Sequence, residues 1–479
     1  MSWTPDRWQQ KGASAPAFLS LGRELVKDIR KGRLVSGDRL PSSRGLARQL
    51  KLHRNTVLAA YAELEAQGWI ETAQGRGTFV SADLPEALRL GAQERPEHGY
   101  RIRPAPELLR NAPEPKILSM AGGLPDTRLV SSTDLSRSIR RVMNRSGTLL
   151  DYGSPYGAKR LRRAISQMLR DNRGMVVDEE SVLITRGSQM GIYLLGQALL
   201  QSGDVVAVES IGYRAAFQAL RMSGARLAPV PVDDKGMQVE KLEALHKRRR
   251  LRAVYLTPHH QFPTLVTLSA ARRLQLLEFA KKHRIAVLED DYDHEFHYEG
   301  RPIAPISSED SSGNLIYIGT LSKVLAPGLR IGYVVGPKAL IDALAAIRSH
   351  IDSHGDAITE TAVAEWIEEG DLERHARRVR RVYLQRRQAL DEALQSQLGG
   401  SVRYTLPNGG MALWVQCLLD KDADGWATRA LERGVRVSPA SLYRLDRRNI
   451  PFMRMGFAKL NEEELQRAVK ILARSASPR

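Results

Sequence analysis

The stretch 319-GTLSKVLAPGLRIGYVV-335 links two short apolar runs, LIYIG (315–319) and IGYVVG (331–336), through a turn carrying Lys323 and Arg330. Both runs have the length and the β-branched, aromatic composition of buried strands. A charged lysine is costly to hold in such surroundings. Lys323 therefore either points to solvent or is kept in place to form a bond. Apolar surroundings lower an amine from its ordinary pKa of ~10.4 and expose a nucleophile that forms a Schiff base with an aldehyde.

Working outward, the same type of run recurs as SVLIT (181–185), VVAVE (205–209), AVYLT (253–257) and IAVLED (285–290), with amphipathic helical stretches such as 269-SAARRLQLLEFAKKH-283 between them. Apolar strands alternating with helices predict a mainly parallel sheet covered on both faces, an α/β three-layer domain over 116–479. In such sheets ligands bind at the carboxyl ends of the strands. Those ends carry the parts that a phosphorylated aldehyde cofactor requires. Asp290 and Tyr292 follow IAVLE and suit a ring nitrogen and a ring hydroxyl. Gly187, Ser188 and Gln189 open a helix after SVLIT, where backbone amides favour a phosphate. Ser322 and Arg330 flank the lysine and can add charge-assisted bonds. Tyr213, after VVAVE, is placed to stack on a ring. Each feature alone is commonplace, and the argument rests on their joint occurrence at successive strand ends.

The N-terminal segment, 14–82, has a different order of parts. LGRELVKDIRKG is an amphipathic helix with a glycine stop. Ser42 is positioned to cap a second helix through Leu50. A third helix runs from about Arg54 to Gln67, and WIETAQGRGTFV forms two strands around a glycine-rich tip. This is a winged helix-turn-helix, whose third helix enters the major groove of double-stranded DNA by its N-terminal end. Arg54, Asn55 and Thr56 sit at that end, Arg44 and Arg48 approach the backbone, and Gly75 and Arg76 form the wing tip. The competing reading is a small protein-interaction domain with a solvated basic face. Residues 83–115, rich in Pro, Arg and Glu and without apolar periodicity, are expected to be a linker.

Two resemblances then become visible. GDRLPSSRGLA, RNTVLAAYAELEAQGWI and GRGTFV resemble the GntR-type winged helix, which places Arg44, Arg54, Thr56 and Gly75–Arg76 at DNA-contacting positions. DYGSPYGAKRLR, ITRGSQMGIYLL, ESIGY, TPHHQFPT, LEDDYDHEF, GTLSKVLAPGLRIGY, PNGGMALWV and FMRMGFA resemble fold-type I aminotransferases with a small C-terminal α+β lobe. The combination is that of the MocR-type regulators. The resemblance implies pyridoxal 5'-phosphate bonded to Lys323, with Asp290 at the pyridine nitrogen and Tyr292 at the ring hydroxyl. It places Ser188, Gln189 and Arg330 on the phosphate side, Tyr152 as a residue that reaches a partner subunit's phosphate in a homodimer, and Arg454 as the clamp on an amino acid's carboxylate. There are departures: Phe262 stands where true aminotransferases usually carry asparagine, Leu265 where relatives usually carry glycine, and Ala412 where many carry histidine. These changes weigh against efficient transamination more than against cofactor binding.

Composition sets the remaining bounds. A formal charge of +18 over 479 residues favours a polyanionic partner without identifying it. A single cysteine, Cys417, excludes internal disulfides and cysteine metal sites. No run approaches the ~18 apolar residues of a membrane span, and the N-terminus lacks a signal-peptide core, so a cytoplasmic protein away from membranes is expected. The DDYDHEFH run (290–297), with His259 and His260, offers metal-type donors in no recognised spacing, and no metal is expected. The leading functional reading is a transcription regulator that senses a small amine, an amino acid or the cofactor itself. The others are an active aminotransferase with a DNA-binding appendage, and an empty dimerisation scaffold.

Overall fold

The computed structural model describes residues 16–84, 116–145, 147–300 and 302–477, which fall into two compact units, 16–84 and 116 onward. Most of the expected linker, 85–115, lies outside the described residues.

In the N-terminal unit, α1 (Ala17–Arg30), α2 (Ser43–Leu50) and α3 (Arg54–Ala66) precede a hairpin of β1 (Ile70–Ala73) and β2 (Gly77–Val80). The Ser42 Oγ accepts from the Gly45 amide at 3.1 Å and caps α2, as its position in the sequence suggested. His53 caps α3, its ring nitrogen accepting from the Asn55 amide. Leu21, Leu25, Leu46, Val57, Leu64, Ile70 and Val80 form the buried centre. The Tyr61 hydroxyl donates to the Pro41 carbonyl at 2.9 Å and holds α3 against the start of α2.

The C-terminal unit is built on a seven-stranded sheet. Its spatial order is Val182–Thr185, Gly332–Val335, Leu315–Thr320, Ala286–Asp291, Leu251–Leu256, Val205–Glu209 and Arg226–Val230. Gly332–Val335 runs antiparallel to both neighbours and the other strands are parallel. Six of these strands coincide with the apolar runs in the sequence. The seventh, RLAPV, escaped because Pro229 and its exposed alternate residues do not look like a buried strand. It lies at the sheet edge, where a missing amide donor is tolerated. Ile192, Leu195, Phe217, Leu220, Ile341 and Leu344 cover one face. Leu276, Phe279 and Ala280 pack with Val254 and Val287 on the other. A smaller antiparallel sheet, ordered Val402–Arg403, Ala412–Cys417, Phe452–Gly456 and Ser438–Pro439, forms the C-terminal lobe.

Candidate cofactor and DNA-binding sites

The parallel strands end on one side of the sheet, and the chemistry collects there. Lys323 follows the Leu315–Thr320 strand. Its Nζ lies 3.5 Å from the Gly123 carbonyl and has no nearer protein acceptor among the described residues. Burial, and next the charge of Arg454, push its pKa down to about 8, against the opposing pull of Asp293 and Asp290. This answers the question raised by the lysine: it is held partly buried, with its amine lowered toward the free base.

Asp290 is 2% exposed. Its Oδ2 accepts from the Tyr255 hydroxyl at 2.7 Å, while Oδ1 has no protein partner. Burial raises its pKa to about 7. A carboxylate so placed gains from a cationic ring nitrogen, and Tyr255 orients it. The Tyr292 hydroxyl and the Ser322 Oγ are likewise buried without a protein partner.

The phosphate side is shaped by glycine. Gly187 precedes the Ser188–Leu199 helix at φ +75°, and a Cβ there would lie 2.8 Å from the Arg330 guanidinium. A side chain at Gly332 would meet the Gly187 backbone at 2.5 Å. Backbone, helix N-terminus and Arg330 thus approach as closely as the missing Cβ atoms allow. Arg330 Nη2 is anchored on the Arg186 carbonyl at 2.8 Å. Ser188 is half-buried and Gln189 exposed at the start of that helix.

Arg454, on the Phe452–Gly456 strand of the lobe, is fully buried beside the Tyr292 hydroxyl, and among the described residues no carboxylate pairs with its guanidinium. Its guanidinium stacks 4.3 Å above the centre of the Phe262 ring. Phe262 in turn meets Tyr213, Tyr292 and Tyr443 edge-on at 5.6, 5.7 and 5.2 Å. Phe262 therefore does more than lack an amide: it centres an aromatic box that supports the arginine by cation–π contact. Sequence reading missed this box, as well as Tyr255, Tyr443 and Gly123. Only the replacement of asparagine at 262 signalled it. Leu265 adopts φ +67°, the conformation that favours glycine, and is buried against Gly410. Ala412 is fully buried in the lobe sheet.

Lys323, Asp290, Tyr292, Tyr213, Ser322, Arg330 and Arg454 are thus brought to one chamber. Tyr152 is not: it is 91% exposed and touches His354 edge-on. The orphaned oxygens of Asp290, Tyr292 and Ser322, the lowered lysine and the glycine cradle match the donors and acceptors of pyridoxal phosphate, so the residues present fit that group.

In the N-terminal unit Arg44, Arg48, Arg54, Asn55, Gly75 and Arg76 are exposed and Thr56 half-buried. Arg54 and Asn55 lead the first turn of α3, where the helix amides and dipole also favour phosphate.

Comparison with known proteins gives the same two parts. Residues 122–472 match the family model for aminotransferase class I and II, and residues 19–80 match that for bacterial regulatory proteins of the gntR family. The probable rhizopine catabolism regulatory protein MocR of Rhizobium meliloti is 30% identical over 90% of this chain and 88% of its own. The HTH-type pyridoxine biosynthesis transcriptional regulator PdxR of Corynebacterium glutamicum is 30% identical over 88% of this chain and 89% of its own. The crystal structure of the α-aminoadipate aminotransferase LysN of Thermus thermophilus, complexed with N-(5'-phosphopyridoxyl)-L-leucine, superimposes with a TM-score of 0.70 at 32% identity, over 75% of this chain and 92% of that one.

Proposed function

Because the chain belongs to the aminotransferase class I and II family, with a gntR-type DNA-binding domain ahead of it in the MocR-type arrangement, we propose that it couples capture of a small primary amine at Lys323 to the binding of paired operator half-sites. It is a DNA-binding transcription regulator whose C-terminal domain binds pyridoxal phosphate. The effector, the homodimer and the residue roles are our reading. The single observation that carries it is the chamber that holds a deprotonatable lysine together with a buried arginine that no carboxylate of the described residues pairs. Buried charges are retained only where something pairs with them, and a carboxylate is the group that a guanidinium fork fits best.

Pyridoxal phosphate supplies an aldehyde carbon that bonds a primary amine and a ring that withdraws electrons from it. The protein does the rest. Asp290 holds a proton at the ring nitrogen, Tyr292 meets the ring hydroxyl, and Tyr213 covers the ring. Ser188, Gln189, Ser322 and Arg330 hold the phosphate, with Tyr152 reaching across from a second copy of the chain. An incoming amino acid would compete with the Lys323 amine for that aldehyde carbon, and its carboxylate would be held by Arg454. Since Arg454 belongs to the lobe, the lobe is the element whose position the effector biases. A ligand shifts an equilibrium only through unequal affinity for its two states. A coupling of about 1–3 kcal/mol is typical of such linkage and is enough to change promoter occupancy. Work on operator DNA is cytoplasmic, and among the described residues no helix is long and apolar enough to cross a membrane. Steady-state turnover with an amino donor and a keto acid separates this reading from an active transaminase, and Phe262 offers no donor to the ring hydroxyl.

The DNA side is tested at α3. Arg54→Ala is expected to weaken operator binding by about 1–3 kcal/mol and to relax specificity at one base position, if Arg54 reads a base edge. Arg76→Ala at the wing weakens all sequences more evenly and lowers the slope of log affinity against log salt. Electrophoretic or anisotropy titrations over a salt series measure both. Parent-like operator binding by Arg54→Ala would show that the reading helix is misassigned.

A further inference from the structure

Behind the cofactor chamber lies a group of side chains that the regulatory reading does not use. Asp290 and Asp291 are successive residues at the end of one strand, so they point to opposite faces of the sheet. Asp291, on the far side from the lysine, meets His259, from the segment after the Leu251–Leu256 strand, and His294, three residues further on. All three are nearly buried, at 3, 6 and 5% exposure. One donor atom from each lies within 4.8 Å of the others.

The hydrogen bonds of this group do not close among protein atoms. Both ring nitrogens of His259, Nε2 of His294 and Oδ1 of Asp291 lack a protein partner. Four of the structure's buried, unpartnered polar atoms thus collect on three converging side chains. The two imidazole rings lie 4.8 Å apart, tilted by 33°. The Asp291 carboxylate is oriented from outside: Tyr317 donates to its Oδ2 at 2.7 Å, and Arg173 stands 3.9 Å away. Arg173 opposes a cation, but its charge is already engaged by Glu295 at 2.5 Å.

We propose that His259, Asp291 and His294 bind one divalent transition-metal ion of the zinc class, with a fourth position left to water. Two histidines and one carboxylate with an open position form an established donor set for this class, and Tyr317 is the kind of outer partner that fixes a ligating carboxylate. Donors around a tetrahedral ion at ~2.1 Å stand roughly 3.3 Å apart. The 2.9 Å separation of His294 Nδ1 and Asp291 Oδ2 is close to that spacing already. The ion takes the place of the proton shared by that pair, which is released to water, and one of the two unpartnered ring nitrogens of His259 supplies the third ligand by side-chain rotation. The result ties the segment bearing Phe262 to the segment bearing Tyr292, two walls of the chamber on the other side. The sequence offered these donors in the DDYDHEFH run with His259 but in no recognised spacing, because His259 and His294 follow two different strands and meet Asp291 only in the fold.

The test is the metal content of the full chain, purified from zinc-supplemented minimal medium and analysed by plasma mass spectrometry for all first-row metals. The parent is expected to carry about one zinc per chain. His259→Ala, His294→Ala and Asp291→Asn are expected to carry about tenfold less, each with its cofactor absorbance retained as the measure of folding. Asp291→Asn preserves shape, so it decides the matter if an alanine variant fails to fold. Zinc at background in the parent, as when these side chains hold only a water, overturns the proposal. Equal zinc in parent and variants overturns it as well, and a different metal in the site overturns its assignment to zinc.

Discussion

Lys323→Ala is expected to yield a folded protein from which borohydride reduction recovers no covalently bound cofactor, whereas the parent is expected to be yellow and to retain the label on the peptide carrying Lys323. The effect is all-or-none because the bond depends on a single nitrogen. Its neighbours supply no substitute: Ser322 is a hydroxyl, Arg330 is anchored on the Arg186 carbonyl, and Arg454 offers a guanidinium rather than an amine. The fold survives because the lysine contributes only a 3.5 Å contact to Gly123, while the strand end is fixed by Leu321, Val324 and Leu325 in the core. Some non-covalent cofactor remains, since Gly187, the helix amides and Arg330 are untouched. The same amine sets a pH dependence. With a pKa of about 8, the reactive free base makes up about half at pH 8 and about a tenth at pH 7. Raising the pH removes the proton and speeds capture, so the rate of cofactor uptake by apo protein climbs through pH 7–8 and levels off above 9. Stopped-flow absorbance measures this, and a flat profile between pH 6 and 9 would contradict the buried-lysine account.

Arg454→Ala weakens a carboxylate-bearing effector by about 2–5 kcal/mol, roughly 30- to 4000-fold in affinity, while leaving a carboxyl-free amine within a few-fold. The asymmetry follows from the geometry. The guanidinium is fully buried, unpaired and held flat by Phe262 at 4.3 Å, so the chamber has already met the cost of desolvating it. A carboxylate regains that cost through two parallel hydrogen bonds. Arg454→Lys restores the charge but not the fork, and recovers only part of the affinity. Spectral titration of the cofactor band against paired amines, with and without the carboxylate, gives both numbers. Equal losses for the two ligands would mean that Arg454 shapes the lobe rather than binding an effector.

How much of this was legible in the sequence differs by level. The strand ends and the winged helix were readable because burial writes itself into local composition: VVAVE and LIYIG have one environment, and Ser42 caps the helix it precedes. Lys323, Asp290 and Arg330 could be picked out because each breaks an apolar pattern where a break is costly. The edge strand RLAPV was not readable, since an edge imposes neither alternation nor an amide. The aromatic box was not readable either, because Tyr213, Phe262 and Tyr292 follow three different strands and Tyr443 comes from a distant part of the chain, so they meet only in the fold. His259, Asp291 and His294 were visible as metal-type donors but in no recognised spacing, because they converge only when two strand ends meet.

The most direct test of the central claim measures operator affinity in three states of the same preparation: apo protein, cofactor-loaded protein, and cofactor-loaded protein with a saturating amino acid drawn from a panel. The account predicts that at least one amino acid changes operator affinity by about 5- to 150-fold, that operator DNA changes the affinity for that amino acid by the same factor, and that Arg454→Ala abolishes both shifts. If cofactor loading alone moves operator affinity and no amine moves it further, amine exchange at Lys323 is not the signal and the protein responds to the cofactor itself.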